Sequence, residues 1–357
     1  MTEATQFLPD WASPPGATIG DILQERGQSI AEFARAMHDS VDHIQQLLVG
    51  SAAIDRDVAD HLAAAFGMSA NFWLAREAQF RDGLRRLAKN EEWLESLPFN
   101  DLTRFRWIRS ASTVTEKIGA CLEFFGVATV ADWRRRYEEA GPLAAFRTSS
   151  TFASNDGATL AWLRKGEIEA DKIHCEIWNP DRFRAILPEI RVLTREKNPA
   201  AFVPALQRMC AQGGVAVVVA RAPSGCRASG ATRFLDEEQP LLMLSFRYLS
   251  DDHFWFTFFH EAGHLMLHDR RALFLEDGVL CSGHEEEEAN DFAAGQLVPV
   301  EHQAEMRKLP VDGRAVMRFA RKIGVSPGIV VGQLQHLKIF DRRQLNNLKA
   351  RFAWVDD

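Results

Sequence analysis

Cysteine is scarce in this 357-residue chain. The five cysteines, Cys121, Cys175, Cys210, Cys226 and Cys281, are odd in number and widely spaced, with no C-x-x-C pair. That excludes a disulfide scaffold and fits a reducing compartment. Long apolar runs are missing as well. Stretches such as GGVAVVVA fall far short of the roughly 20 residues needed to span a bilayer. The N-terminal MTEATQFLPDWASPPG is polar and acidic, without an apolar signal core. No low-complexity tract interrupts the chain. Positive charge is in deficit: 42 Lys and Arg stand against 49 Asp and Glu, a net charge of -7. No global basic field therefore draws the protein to nucleic acid or to anionic membranes, and any such contact needs a local patch. The expectation is a cytoplasmic protein with no membrane partner.

What is present suits a globular protein. Hydrophobic residues are 46% and charged residues 25% of the chain, enough to bury a sizeable core. The length favours two or three domains. Residues 1–13 read as a tail, and Pro14-Pro15-Gly16 punctuates the first folded unit, over 14–85. There, short amphipathic helices alternate with tight turns. Ser29 caps a second helix with Glu32 in capping-box position. Ser40 caps a third, which carries Val41, Ile44, Leu47 and Leu48 at helical spacing and ends at Gly50. Asp55 opens a fourth, closed by Gly67. Residues 86–190 form a helical middle region. The pattern then changes. Val215–Ala220 is a β-branched run, and Ala231–Leu235 and Leu241–Phe246 are further strand candidates. An apolar helix spans about 254–268, a loop covers 269–283, and another helix runs from about Glu285 to Leu297. This unit is placed at 191–300, followed by a helical extension over 301–357. The fold class is α+β, with an all-α N-terminal part and a small sheet in the C-terminal half.

His260-Glu261-Ala262-Gly263-His264 is an H-E-x-x-H pattern. Residues four apart share a helix face, so both imidazoles can reach one cation with the glutamate beside it. Neutral imidazole suits Zn²⁺, and a catalytic zinc keeps three protein ligands and one open position. Glu261 is the candidate general base for the attacking water. A third ligand is available in Glu285-Glu286-Glu287-Glu288, which opens the next helix. Glu286 with Asn290 one turn on is the economical choice, with Asn290 orienting a ligand; Glu287 with Asp291 has the same spacing. His268 is a further candidate positioning residue. Tyr248 and His302 are candidate oxyanion donors. Cys281 reads as an inert thiol near the site. A di-iron centre would need a second E-x-x-H, and there is none.

FWFTFFHEAGHLMLH followed by EEEEANDFAAGQLVP resembles the ImmA/IrrE family of metallopeptidases. The likeness extends through PLLMLSFRYLSDD and FARKIGVSPGIVVGQLQH and covers roughly 190–345. It implies a zincin-like, gluzincin-like enzyme with one Zn²⁺ per chain, held by His260, His264 and Glu286, with Glu261 catalytic. It also implies that an edge strand pairs with the substrate backbone, for which Leu241–Phe246 is the expected strand. The implied activity is a regulatory endopeptidase acting on a repressor or antitoxin-like protein.

Residues 14–85, including HLAAAFGMSANFWLAREAQF, resemble the XRE-type helix-turn-helix domain of HigA-like antitoxins. In that fold the third helix lies in the major groove. Here it presents Ser40, Asp42, His43, Gln45 and Gln46. Against DNA binding, this segment holds six basic and ten acidic side chains, and the third helix has no Lys or Arg. Phosphate contacts dominate DNA affinity and need Lys or Arg. Two readings stand: a peptidase coupled to a helix-turn-helix module, or a DNA-binding regulator whose peptidase unit senses or scaffolds. Operator DNA and a second copy of the chain are the further partners to test.

Overall fold

The computed structural model describes residues 12–139, 156–268, 273–276 and 283–354. They divide into two compact units: those up to Glu95 together with Ala111–Gly119, and Ser96–Ser110 together with those from Ala120 onward. The fold is α+β. No helix among the described residues is long and apolar enough to cross a membrane.

The first unit is helical: α1 (Pro15–Glu25), α2 (Ile30–Ala36), α3 (Val41–Val49), α4 (Arg56–Phe66) and α5 (Ala70–Glu95). Its caps follow the local sequence. The Ser29 hydroxyl accepts from the Glu32 N–H while the Glu32 carboxylate accepts from the Ser29 N–H, so two otherwise orphan donors are satisfied reciprocally. Ser40 and Asp55 accept from His43 and Val58. Gly50 and Gly67 end their helices in the left-handed region. Phe33, Ala34, Ile44, Leu47, Leu62 and Trp73 share one core, so the apolar periodicity of α2 and α3 is what packs them together. The limit at 85 falls inside α5, which continues unbroken to Glu95.

The second unit begins with α6 (Phe99–Arg104). Helix α7 (Val114–Phe125), which starts in the first unit's segment, α8 (Val130–Trp133) and a π-helical turn (Arg134–Glu139) follow, then α9 (Asp156–Ala170), α10 (Pro180–Val192) and α11 (Pro199–Gln212). Its sheet consists of β1 (Ala216–Val219), β2 (Gly230–Phe234), β3 (Pro240–Leu244) and β4 (Phe274–Glu276). The remaining helices are α12 (Asp251–Leu267), α13 (His284–Leu297), α14 (Val300–Met306), α15 (Gly313–Ile323) and α16 (Pro327–His336). The strand order is β1-β3-β2-β4, with β1 parallel to β3 and the other pairs antiparallel.

Period-two alternation sorts the strand side chains onto two covered faces. Val217, Leu242 and Leu244 pack with Trp255, Phe258 and Phe259 of α12 and with α10, α11, α15 and α16. Ala216, Val218, Leu241 and Met243 pack with Trp162 and Leu163 of α9. Helices on both sides explain why the PLLML run is apolar throughout. They also correct one expectation. The strand read as the substrate-pairing edge is interior, hydrogen-bonded to β1 on one side and β2 on the other. Among the described residues, the edges are β1 and β4.

Candidate metal centre

Helix α12 is apolar nearly all round, and buried on most of its surface. Such a helix belongs in a core. Its polar residues are therefore the informative ones. His260 and His264 are each 2% exposed and Glu261 is fully buried. One helical turn brings the two imidazole Nε2 atoms to 3.0 Å from each other. Glu286 of α13 closes the group: its Oε2 is 3.2 Å from His260 Nε2 and its Oε1 is 3.4 Å from His264 Nε2. The potential ligand atoms of these three residues all lie within 4.8 Å of one another. Glu287 and Asp291, the alternative pair, are both exposed.

The other ring nitrogens are held so that both Nε2 lone pairs point at the shared point. His260 Nδ1 donates to Asn290 Oδ1 at 3.1 Å, one turn after Glu286 on α13. His264 Nδ1 is 2.9 Å from His268 Nδ1, and His268 Nε2 is 3.2 Å from Glu288 Oε2. One tautomer set satisfies this chain. His268 donates through Nε2 to the carboxylate, accepts at Nδ1 from His264, and leaves His264 Nε2 as an acceptor. Such partners fix ligand orientation and raise basicity. Burial, with the neighbouring His260 and His268 charges adding to it, pushes the His264 pKa down to about 2. It is a neutral imidazole over the whole working range, the form that binds metal. Phe274 of β4 stacks on the His264 ring at 4.1 Å between centroids.

Glu261 is placed by β2, which the sequence reading did not foresee. Thr232 Oγ1 donates to Glu261 Oε2 at 2.5 Å. Gly230 makes room: a Cβ there would lie 2.6 Å from Glu261 Oε1 and 2.6 Å from Thr257 Cγ2. The alternation along Gly230-Ala231-Thr232 turns positions 230 and 232 toward α12 and Ala231 toward the other face. Strand parity was readable, but which face meets α12 was not.

Other candidates are placed elsewhere. Tyr248 stacks on His253 at 4.4 Å, seven residues before His260. At about 1.5 Å of rise per residue, that is roughly 10 Å along α12. His302 lies on α14, edge-on to Phe319. Neither is brought to the three ligands. Cys281 and most of the 269–283 loop lie outside the described residues. In the first unit, Asp42, Gln45 and Gln46 are exposed on α3. His43 is tied to Asp39 at 2.5 Å, and the Ser40 hydroxyl is occupied as the helix cap.

Two histidines from one turn of a buried helix, a carboxylate from the next helix and a buried glutamate between the histidines define a metallopeptidase-like domain of the H-E-x-x-H class. Residues 214–335 match the Peptidase_M78 family, described as IrrE N-terminal-like domain. The chain thus carries an IrrE N-terminal-like domain, and the match includes α14, α15 and most of α16 as well as the helices of the candidate metal site. The chain is also 38% identical over 60 residues to the uncharacterized HTH-type transcriptional regulator YddM of Escherichia coli (strain K12). That likeness covers 17% of this chain and 64% of YddM, so it spans less than two thirds of the relative.

Proposed function

We propose that the protein is a zinc-dependent endopeptidase that cleaves a protein partner, a repressor or antitoxin-like regulator, in concert with its helix-turn-helix module. The observation that carries this is the convergence of His260, His264 and Glu286, with each histidine's second nitrogen already committed to a hydrogen bond. Two imidazoles and one carboxylate fit Zn²⁺ with room for water. Bound zinc would supply a water whose pKa is lowered to about 7 and would polarise the scissile carbonyl. Glu261 takes the proton of the attacking water and returns it to the leaving amide nitrogen. Thr232 holds the Glu261 carboxylate in place. Of the two edges among the described residues, β4, whose Phe274 stacks on His264, is the one beside the candidate ligands and the one we assign to an extended peptide.

Comparing wild type with Glu261→Gln tests this. The variant should keep one zinc per chain and lose cleavage of a repressor or antitoxin-like partner. Equal cleavage by both would remove the mechanism.

A second reading, a DNA-binding regulator whose peptidase domain senses or scaffolds, has its own support in the likeness to a regulator and in the exposed Asp42, Gln45 and Gln46. Glutamine can read adenine in the major groove. The acidic balance of residues 14–85 weighs against it. Filter binding to the promoter region of its own gene at low and high salt separates the two; a lack of salt-dependent affinity removes the regulator.

A further inference from the structure

A second site is built into the same unit, away from the metal. A cleft of about 690 Å³ opens at the end of β1, floored by Val218, Val219 and Ala220. It is lined by Arg104 at the end of α6 and the following Phe105-Arg106-Trp107, by Lys165 and Glu169 of α9 with Lys172 in the turn after it, and by Arg221 just past β1. Five cationic side chains and a single carboxylate line it, in a chain of net charge -7. Glu169 serves Lys165 and Lys172, and Asp101 pairs with Arg104 at 2.7 Å. The aromatic rings alternate with the arginines and are only partly buried. The Arg104 and Arg221 guanidinium groups lie 5.0 and 5.1 Å from the Phe105 ring centroid, and Lys165 Nζ lies 5.7 Å from that of Trp107. Arg106 adopts φ 57°, a left-handed conformation that costs energy for any residue carrying a Cβ.

We propose that this cleft binds a nucleoside polyphosphate. Interleaved cations and aromatics bind phosphate and stack a planar base on indole or guanidinium. The volume lies within the roughly 300–1,000 Å³ usual for small-molecule sites. Strand order separates the cleft from the metal. It sits on β1, while β4, at the opposite edge of the sheet, carries the Phe274 that stacks on His264. The two sites therefore load independently.

Titration calorimetry on the full chain tests this, with ATP, GTP, CTP and UTP as probes beside inorganic triphosphate, adenosine and a short single-stranded oligonucleotide. At least one nucleoside triphosphate should bind with Kd below about 100 μM, more tightly than inorganic triphosphate or adenosine. Arg106→Ala and Lys172→Glu should each weaken it by about 10-fold or more, the loss expected for a charged hydrogen-bonding partner. Lys172 is exposed, so its reversal leaves folding intact, and unfolding temperature verifies that for both variants. Stripping the protein with chelator should leave the affinity within about twofold, since the metal is not part of this site. No nucleotide affinity tighter than 1 mM would overturn the proposal, as would indifference to both substitutions or loss on chelation. Inorganic triphosphate binding as tightly as the nucleotides would remove the base subsite. An oligonucleotide binding far more tightly than any mononucleotide would reassign the cleft to a polymer.

Discussion

Gly263 and Ala289 set the distance between the two helices that carry the candidate metal ligands. A Cβ at Gly263 would lie 3.1 Å from Ala289 Cα and 3.2 Å from Phe292 Cδ1. Ala289 lies one turn after Glu286 on α13, so the glycine between the histidine ligands governs how closely the third ligand approaches. Gly263→Ala needs α13 to withdraw by a few tenths of an ångström, and Gly263→Val needs more. Alanine is favoured over glycine within a helix by about 1 kcal/mol, which offsets part of the crowding. Gly263→Ala should therefore unfold close to wild type but hold zinc about 10-fold more weakly, because small misplacements at a site cost disproportionately. Competition with a chromophoric chelator measures this. A valine variant with wild-type zinc affinity would show that the close approach does not position Glu286.

Thr232→Val removes the hydroxyl that donates to Glu261 while keeping the shape of the side chain. The carboxylate is fully buried, so losing this donor should lower stability by roughly 1–3 kcal/mol. Zinc content should not change, because Thr232 touches none of the three ligands. Cleavage of the partner should fall about 10-fold in kcat with little change in KM, the pattern of a group that positions the base. Thr232→Ser, which restores the donor, should recover most of the rate. Full activity in the valine variant would refute the positioning role.

Much of the candidate metal centre was legible because its logic is local. A helix repeats every 3.6 residues, so His260 and His264 share a face whatever surrounds them, and Glu286 pairs with Asn290 by the same spacing. The helix caps at Ser29, Ser40 and Asp55 depend only on residues three positions away. What was not legible rests on long-range pairing. Thr232 meets Glu261 from 29 positions away because β2 happens to lie under α12. The PLLML run looks the same at the edge or the centre of a sheet covered on both faces, so its neighbours could not be read from it. The cleft joins residues 104–107 to Lys165 and Arg221 through folding of the whole unit.

Glu288 separates the four adjacent glutamates by role. Its Oε2 accepts from His268 Nε2 at 3.2 Å and also lies 3.2 Å from His284 Nδ1. Through His268 it fixes the tautomer of His264. Glu288→Ala should weaken zinc binding by about 10-fold, at the low end of the effect for partners that orient a ligand, because this carboxylate is half-exposed. Glu287→Ala, on the exposed side of the same turn, should leave zinc affinity unchanged. Glu286→Ala should abolish stoichiometric binding. Equal affinities for the 287 and 288 variants would show that the His264–His268 contact orients the ring unaided.

Asp251, at the start of α12, gives a stability signature of opposite sign to that of a salt-bridged carboxylate. It is 2% exposed and accepts from Ser326 Oγ at 2.6 Å, the Ala350 N–H at 3.0 Å and the Asp252 N–H at 2.9 Å. Burial pushes its pKa from 3.8 up to about 6, with the Asp252 charge adding to it and the hydrogen bonds opposing. The folded state therefore holds this proton more tightly than the unfolded state does. The group's contribution to stability is complete below pH 3.8 and is lost as pH rises through about 6. A shift of that size corresponds to roughly 3 kcal/mol. Asn cannot ionise, and with the Ser326 hydroxyl turned to accept from its amide the three contacts survive. The stability difference between wild type and Asp251→Asn should therefore move in the variant's favour between pH 4 and pH 7, by up to roughly 3 kcal/mol. Urea unfolding of both proteins at several pH values reads this directly, and because every other carboxylate is common to the pair, their titration cancels. Parallel stability curves would mean that Asp251 carries the same proton load folded and unfolded.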